Sequence, residues 1–224
     1  MRFTTMRFTT MRFSVFCLSA AFAGIAAAQA PPSDFKPLRG DRFKPLTYAE
    51  MTPEQKTLTD HLLNGPRHSM DGPFNVLLRS PEMGDVAQQL GLQFRFHSSL
   101  PAKLNEFAIM LMARLWTVQF EFAAHHRLAV AAGLSPAVAD AVAAGKRPTS
   151  MAPDEEAVYN FCMELVNTKQ VSDATFDAVK SKFGERGVVD LIGVMGYYHM
   201  VSMLLDVDRY PLPAGAKPEL TTLP

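Results

Sequence analysis

An all-α fold is predicted by three features of this 224-residue chain. Ser-Pro, Thr-Pro and Leu-Pro pairs recur as helix starts, and Gly recurs as a helix stop. No stretch of useful length alternates apolar and polar residues, and no turn-rich spacing of short strands appears. Two runs, FAIMLMA (Phe107 to Ala113) and LIGVMGYYHMVSMLL (Leu191 to Leu205), carry no acid, Lys or Arg. A helix apolar all round must be covered on every side.

The elements follow in order. Residues 1–30 read as a secretory leader. Arg2, Arg7 and Arg12 form its basic start, Val15 to Ala28 its apolar stretch, and Ala28-Gln29-Ala30 a cleavage signal. The apolar stretch is short of the ~20 residues that span a bilayer. Cleavage implies a periplasmic or secreted protein. It removes three Arg and no acid, so the formal charge falls from 0 to −3. Cys17 leaves with the leader, and Cys162 remains as a single thiol, so neither an intrachain disulfide nor a C-x-x-C pair forms. No basic run suggests nucleic acid, and no later segment is read as crossing a membrane.

Residues 31–50 form a Pro-rich arm in which FKPL occurs twice, at Phe35–Leu38 and Phe43–Leu46. Spaced aromatics are unusual in bare linkers, so the arm is expected to dock on this domain or on a neighbouring subunit. A helical domain then occupies residues 51–210. Thr52 caps the first helix, with Pro53 at its first position and Asn64-Gly65-Pro66 as its stop. Residues 66–75 form a loop. Ser80-Pro81 starts a helix to about Phe96, and Leu100-Pro101 one to about Thr117. Gln119 to Ala132 is next, ending at Gly133. Ser135-Pro136 opens a short helix that ends at Gly145. The acidic stretch Pro153 to Glu156 begins one ending near Thr168, as suits a helix N-terminus. Ser172 to Phe183 stops at Gly184, and Glu185 to Leu205 is the long last helix. Residues 211–224 are an irregular tail. The excess of apolar helix surface points to a homo-oligomer.

Several groups carry possible chemistry. Glu106 adjoins FAIMLMA, where an unpaired carboxylate is costly; an arginine such as Arg95 or Arg114 is the plain structural partner. In QFEFAAHH, Glu121 and His125 are four residues apart and share a helix face, whereas His126 is turned away by ~100°. Three readings fit that pair: a structural pair, an acid–base site with a carboxylate-oriented imidazole, or two metal ligands awaiting a third from His68, His97 or His199. Arg79 and Arg95 are candidates to clamp a substrate carboxylate. Tyr198, beside Tyr197, is a candidate donor to an oxyanion. Cys162 reads as a small buried hydrophobe. No Gly-rich phosphate loop, G-x-S-x-G or H-E-x-x-H occurs.

The segment PFNVLLRSPEMGDVAQQLGLQFRFHSSLPAKLNEFAIMLMARLWTVQFEFAAHHRLAVAAGL resembles carboxymuconolactone decarboxylase-like proteins, within the alkylhydroperoxidase-D-like superfamily. DEEAVYNFCMEL, VSDATF and FGERGVVDLIGVMGYYHMVSMLLDV extend the likeness, which spans about Gly72 to Val207. The resemblance implies an all-helical fold assembling as a homotrimer or homohexamer. In the peroxidase branch, a Glu is followed after twelve residues by Cys-x-x-Cys and then by His. Counted from Glu106, Val118 and Glu121 stand where those cysteines belong, and His125 stands at the histidine. Both thiols are absent, so peroxidase activity is not expected. In the decarboxylase branch a Glu and a His at the positions of Glu121 and His125 are usual, and FEFAAHH matches that branch's YEWAHH-like stretch. Phe120 and Phe122 replace its Tyr and Trp, which implies a more apolar pocket and a different substrate.

The expectation is therefore a cofactor-free acid–base enzyme of lyase, decarboxylase or isomerase type. Its substrate would be a small carbonyl, lactone or carboxylate compound. Glu106, Glu121 and His125 are its catalytic candidates, and Arg95, His126 and Tyr198 its substrate-binding candidates, with no metal or cofactor required. A non-catalytic binding or scaffold protein of the same fold and a metal protein using Glu121 and His125 are the rivals.

Overall fold

A computed structural model describes residues 30–221. The leader read in residues 1–30, with Cys17, lies outside the described residues except for Ala30. Within them the chain is all-α: a 3-10 turn at Tyr48–Glu50 and eight helices, with no strand. The helices are α1 (Pro53–Asn64), α2 (Phe74–Leu77), α3 (Pro81–Phe96), α4 (Ala102–Trp116), α5 (Gln119–Ala131), α6 (Pro136–Ala143), α7 (Pro153–Thr168) and α8 (Asp173–Asp208).

The local signals act as expected. The Thr52 hydroxyl accepts the Gln55 N–H at 3.3 Å, and the Gln55 side chain accepts the Thr52 N–H at 2.9 Å, which satisfies donors the helix start would orphan. Two elements were not foreseen, the 3-10 turn inside the arm and the short α2 at the end of the 66–75 loop. Both are too short to show a periodic pattern. Gly184 breaks α8 as its sequence suggests: with φ 68 and ψ 178 it is non-helical, and the chain bends there.

α4 is the central rod. Each residue from Leu104 to Arg114 is buried, under α5, α6, α7 and α8. FAIMLMA is thus covered entirely within one chain. α8 differs in two ways. By length and composition it contains a window apolar enough to cross a bilayer, contrary to the sequence reading, but half of that window is buried inside this protein. It also leaves Val189, Ile192, Met203 and Val207 exposed, while α3 exposes Met83, Val86, Leu90 and Phe96.

Arm and tail both dock. Phe35 meets the Tyr48 ring edge-on at 5.6 Å, and Leu38 is buried. The buried Asp208 carboxylate accepts the N–H groups of Asp41 and Phe43 at 3.2 and 2.8 Å, tying the arm to the end of α8. At the other terminus, Leu220 is buried in the core, the Gln119 amide donates to the Leu220 carbonyl at 2.7 Å, and Arg114 donates to the Thr221 carbonyl at 2.8 Å. Residues 211–221 of the tail form no helix or strand, yet they pack against the domain.

Candidate active site

α4 and α5 form a tight antiparallel pair. Thr117 takes a left-handed conformation (φ 56), and the Val118 N–H closes on the Ala113 carbonyl at 3.0 Å, so the chain reverses in two residues. This reversal lays α5 along α4 and brings residues 19 apart in sequence into contact.

The His125 imidazole lies between two carboxylates. Nδ1 is 2.5 Å from Glu106 Oε2 on α4, and Nε2 is 3.1 Å from Glu121 Oε1 one turn earlier on α5. All three side chains are nearly inaccessible: relative exposure is 9 % for Glu106, 5 % for Glu121 and 3 % for His125. Burial alone pushes the imidazole down. The charge of Glu121, the hydrogen bond to Glu106, and their further contributions outweigh it, and the pKa rises from 6.5 to about 9. At neutral pH the ring is an imidazolium donating from both nitrogens. The Tyr198 ring meets it edge-on at 5.1 Å.

That raised value has a signed consequence for stability. Below pH ~6.5 the imidazole is protonated whether folded or unfolded, and its contribution is complete. Above that, only the folded protein retains the proton, so the contribution shrinks and is gone beyond pH about 9. The shift corresponds to ~3 kcal/mol. Urea midpoints measured from pH 6 to 10 are expected to fall across this window in the parent and to lack that slope in His125→Gln.

Beside the triad lies a cavity of about 330 Å³. Glu121, His125, Tyr197, Tyr198 and Phe120 line it, whereas Glu106, on the other side of the ring, does not. Among the described residues neither tyrosine hydroxyl makes a hydrogen bond, and burial raises both phenols, Tyr198 well above the ordinary value. The cavity is not the apolar pocket expected from Phe120 and Phe122. Phe122 is fully buried in the core instead, and four arginines line the space: Arg39 from the arm, Arg67 from the loop after α1, Arg95 from α3 and Arg127 from α5.

Other sequence candidates divide. Arg95 and Tyr198 are in the cavity wall. His126 is not: it faces the tail, with Nδ1 2.6 Å from Glu219 Oε2, because one residue's rotation carries it off the cavity face. Arg79 is also elsewhere, donating to the Asn75 and Lys44 carbonyls. Glu106 pairs with neither Arg95 nor Arg114. The two carboxylates do not share an open pocket, since the imidazolium stands between them and pairs with each.

For the metal reading the donor chemistry is unfavourable. Both His125 nitrogens point at carboxylates. Two of the three proposed third ligands have other partners: His68 contacts the Leu63 carbonyl and His199 accepts from Trp116 at 2.7 Å. No cluster of three or more His, Cys, Asp or Glu among the described residues has a metal-holding arrangement. Cys162 is fully buried, and burial pushes its thiol far up, so it is a packing residue with negligible thiolate.

Arg39, Arg67, Arg127 and Tyr197 were missed by sequence reasoning. Only Tyr197, adjacent to Tyr198, had a local signal. Arg39 is held in a mouth assembled from three segments: it donates to Asp71 at 3.0 Å and to the Pro211 carbonyl at 3.3 Å, and it lies over the Phe120 and Tyr210 rings at 5.2 and 5.1 Å. Comparison with family models, with curated proteins and with solved structures finds no match to this chain.

Proposed function

We propose that this protein is a carboxymuconolactone decarboxylase-like acid–base enzyme, working without a redox cofactor on a small carbonyl, lactone or carboxylate compound. The observation that carries the reading is one imidazolium clamped between two buried carboxylates, with only one of those carboxylates in the cavity wall. The residues aligned with the family's Glu and His positions thus meet in space, which supports the resemblance.

In this scheme Glu121 is the catalytic base. It takes a proton from a carbon next to the substrate carbonyl, and the electron pair moves into the carbonyl oxygen as an enolate. A hydroxyl of Tyr197 or Tyr198 donates to that oxygen. Glu121 then returns the proton to another atom of the enolate, which completes an isomerisation, or the enolate re-forms the carbonyl and expels a leaving group that takes the proton from Glu121, which completes a lyase reaction. His125 holds Glu121 oriented between turnovers. Glu106 is a positioning residue, reaching the reaction only through His125. Arg95 binds substrate charge. A panel of lactones and keto acids, assayed with the parent and Glu121→Gln, tests the scheme. Binding without turnover by the parent would favour the non-catalytic rival, and one equivalent of metal by elemental analysis of untagged protein would favour the metal rival.

We also propose that the active form is a homo-oligomer, in which α3 and α8 of one copy pack on those of another. Val189, Ile192, Gly196, His199 and Met203 follow three- and four-residue spacing along α8, and the space outside Gly196 is open. Eight half-exposed side chains on α3 and α8 offer on the order of 700 Å² of apolar contact, near the ~800 Å² per partner of a standard interface. Sedimentation of the mature protein is expected to give a multiple of the chain mass, and Val86→Lys with Ile192→Lys a monomer. A monomeric parent at micromolar concentration would refute this. The leader reading places the mature protein in the periplasm or outside the cell.

A further inference from the structure

We infer that the cavity selects a doubly negative ligand, a dicarboxylate or a phosphate monoester, held by Arg67, Arg95 and Arg127. This names a substrate class for the site described above and rests on that reading in sharing its cavity.

Charge balance carries the inference. Among the groups around the cavity, Arg39 is neutralised by Asp71 at 3.0 Å. The imidazolium of His125 sits between Glu106 and Glu121, so that trio carries one net negative charge. Arg67, Arg95 and Arg127 have no carboxylate within 4.0 Å among the described residues. Three free guanidiniums against one net negative charge leave two positive charges without an internal counterpart. Structural arginines ordinarily acquire one, because a guanidinium in a partly enclosed space loses hydration.

Their placement is built rather than incidental. Arg67 lies over the Phe74 ring at 5.2 Å, and its Nε and Nη2 are buried without a hydrogen-bond partner. It is seated beside Gly91 of α3, where an added Cβ would collide with Arg67 Nη2 and Tyr197 Oη. Any other residue at position 91 would therefore displace one wall of the cavity. Arg95 is carried by the last turn of the same helix, its guanidinium 5.6 Å from the Phe96 ring centre. Arg127 projects from α5 two residues beyond His125. Three separate elements thus converge on one space, at the small end of ligand pockets. Planar guanidiniums match the paired oxygens of carboxylate and phosphate alike.

Calorimetric titration of the purified full chain with succinate, glycerol phosphate, butyrate and glycerol tests the inference. Succinate or glycerol phosphate, or both, are expected to bind at least tenfold more tightly than butyrate, with glycerol silent; which dianion binds tells carboxylate from phosphate recognition. Raising the salt should weaken binding, and Arg127→Gln, at an exposed position, should weaken it at least tenfold. Equal binding of butyrate and succinate, no binding of either dianion, or an unchanged affinity in Arg127→Gln would overturn the inference. Glu121→Gln keeps the two readings apart. If it retains dianion binding while the parent turns over no substrate, the acid–base scheme fails alone. If turnover depends on Glu121 but dianions do not bind, the charge selection fails alone.

Discussion

Replacing His125 with alanine is expected to destabilise the protein by ~3–5 kcal/mol, the cost of breaking a buried ion pair from one side. In a domain of this size that lowers the melting temperature by roughly 10 °C. The cost arises because both Glu106 and Glu121 are buried and their compensation is a single ring. Without it, two carboxylates are left in a low-dielectric space, where they must take up protons or draw in water. Adding Glu106→Gln to His125→Ala should restore part of the loss, since the amide removes one of the stranded charges. The same Glu106→Gln change alone should destabilise, because it leaves a cationic ring with half its support. This reversal of sign between backgrounds is the signature of coupling, and a double-mutant cycle from urea denaturation measures it. A loss below 1 kcal/mol in His125→Ala would mean that the ring is not holding these charges.

The second large effect concerns turnover. Glu121→Gln is expected to lower kcat by ~10²–10⁴, the usual range for a general acid–base group. Stability should suffer less than in His125→Ala, since the ring keeps Glu106. Glu106→Gln is expected to act differently. It leaves the base in place but removes the hydrogen bond that helps keep His125 charged. Its kcat at pH 7 should fall less, and its pH–rate profile should move to lower pH along with the imidazole titration seen by NMR. A purely structural role for Glu106 would lower stability without moving that titration. Activity of Glu121→Gln equal to the parent would remove the base from the scheme.

The helices were legible because their signals are local. Pro53, Pro81, Pro136 and Pro153 each fall in the first helical turn, and Gly184 sits at the bend of α8. The Glu121–His125 pair was legible for the same reason, as four-residue spacing on one helix defines a shared face. Its third member was harder. Glu106 stood out as a carboxylate beside an apolar run, but only the reversal at Thr117 and Val118 decides that it meets His125 rather than an arginine. The character of the cavity was not legible. Phe120 and Phe122 suggested an apolar pocket, yet Phe122 turns into the core while arginines from an arm, a loop and two helices arrive from up to 88 positions apart, Arg39 to Arg127.

By itself the sequence determined the all-α class, the placing of most helix ends, and the carboxylate–imidazole face of α5. These depend on residues within a turn or two of each other, where backbone geometry is set by steric preference and capping. Tertiary structure alone decided which carboxylate clasps the ring, which histidine faces the tail, and where uncompensated positive charge gathers. Such choices depend on packing between distant segments and on Coulomb interactions in a space closed off from water, and neither is encoded by spacing along the chain.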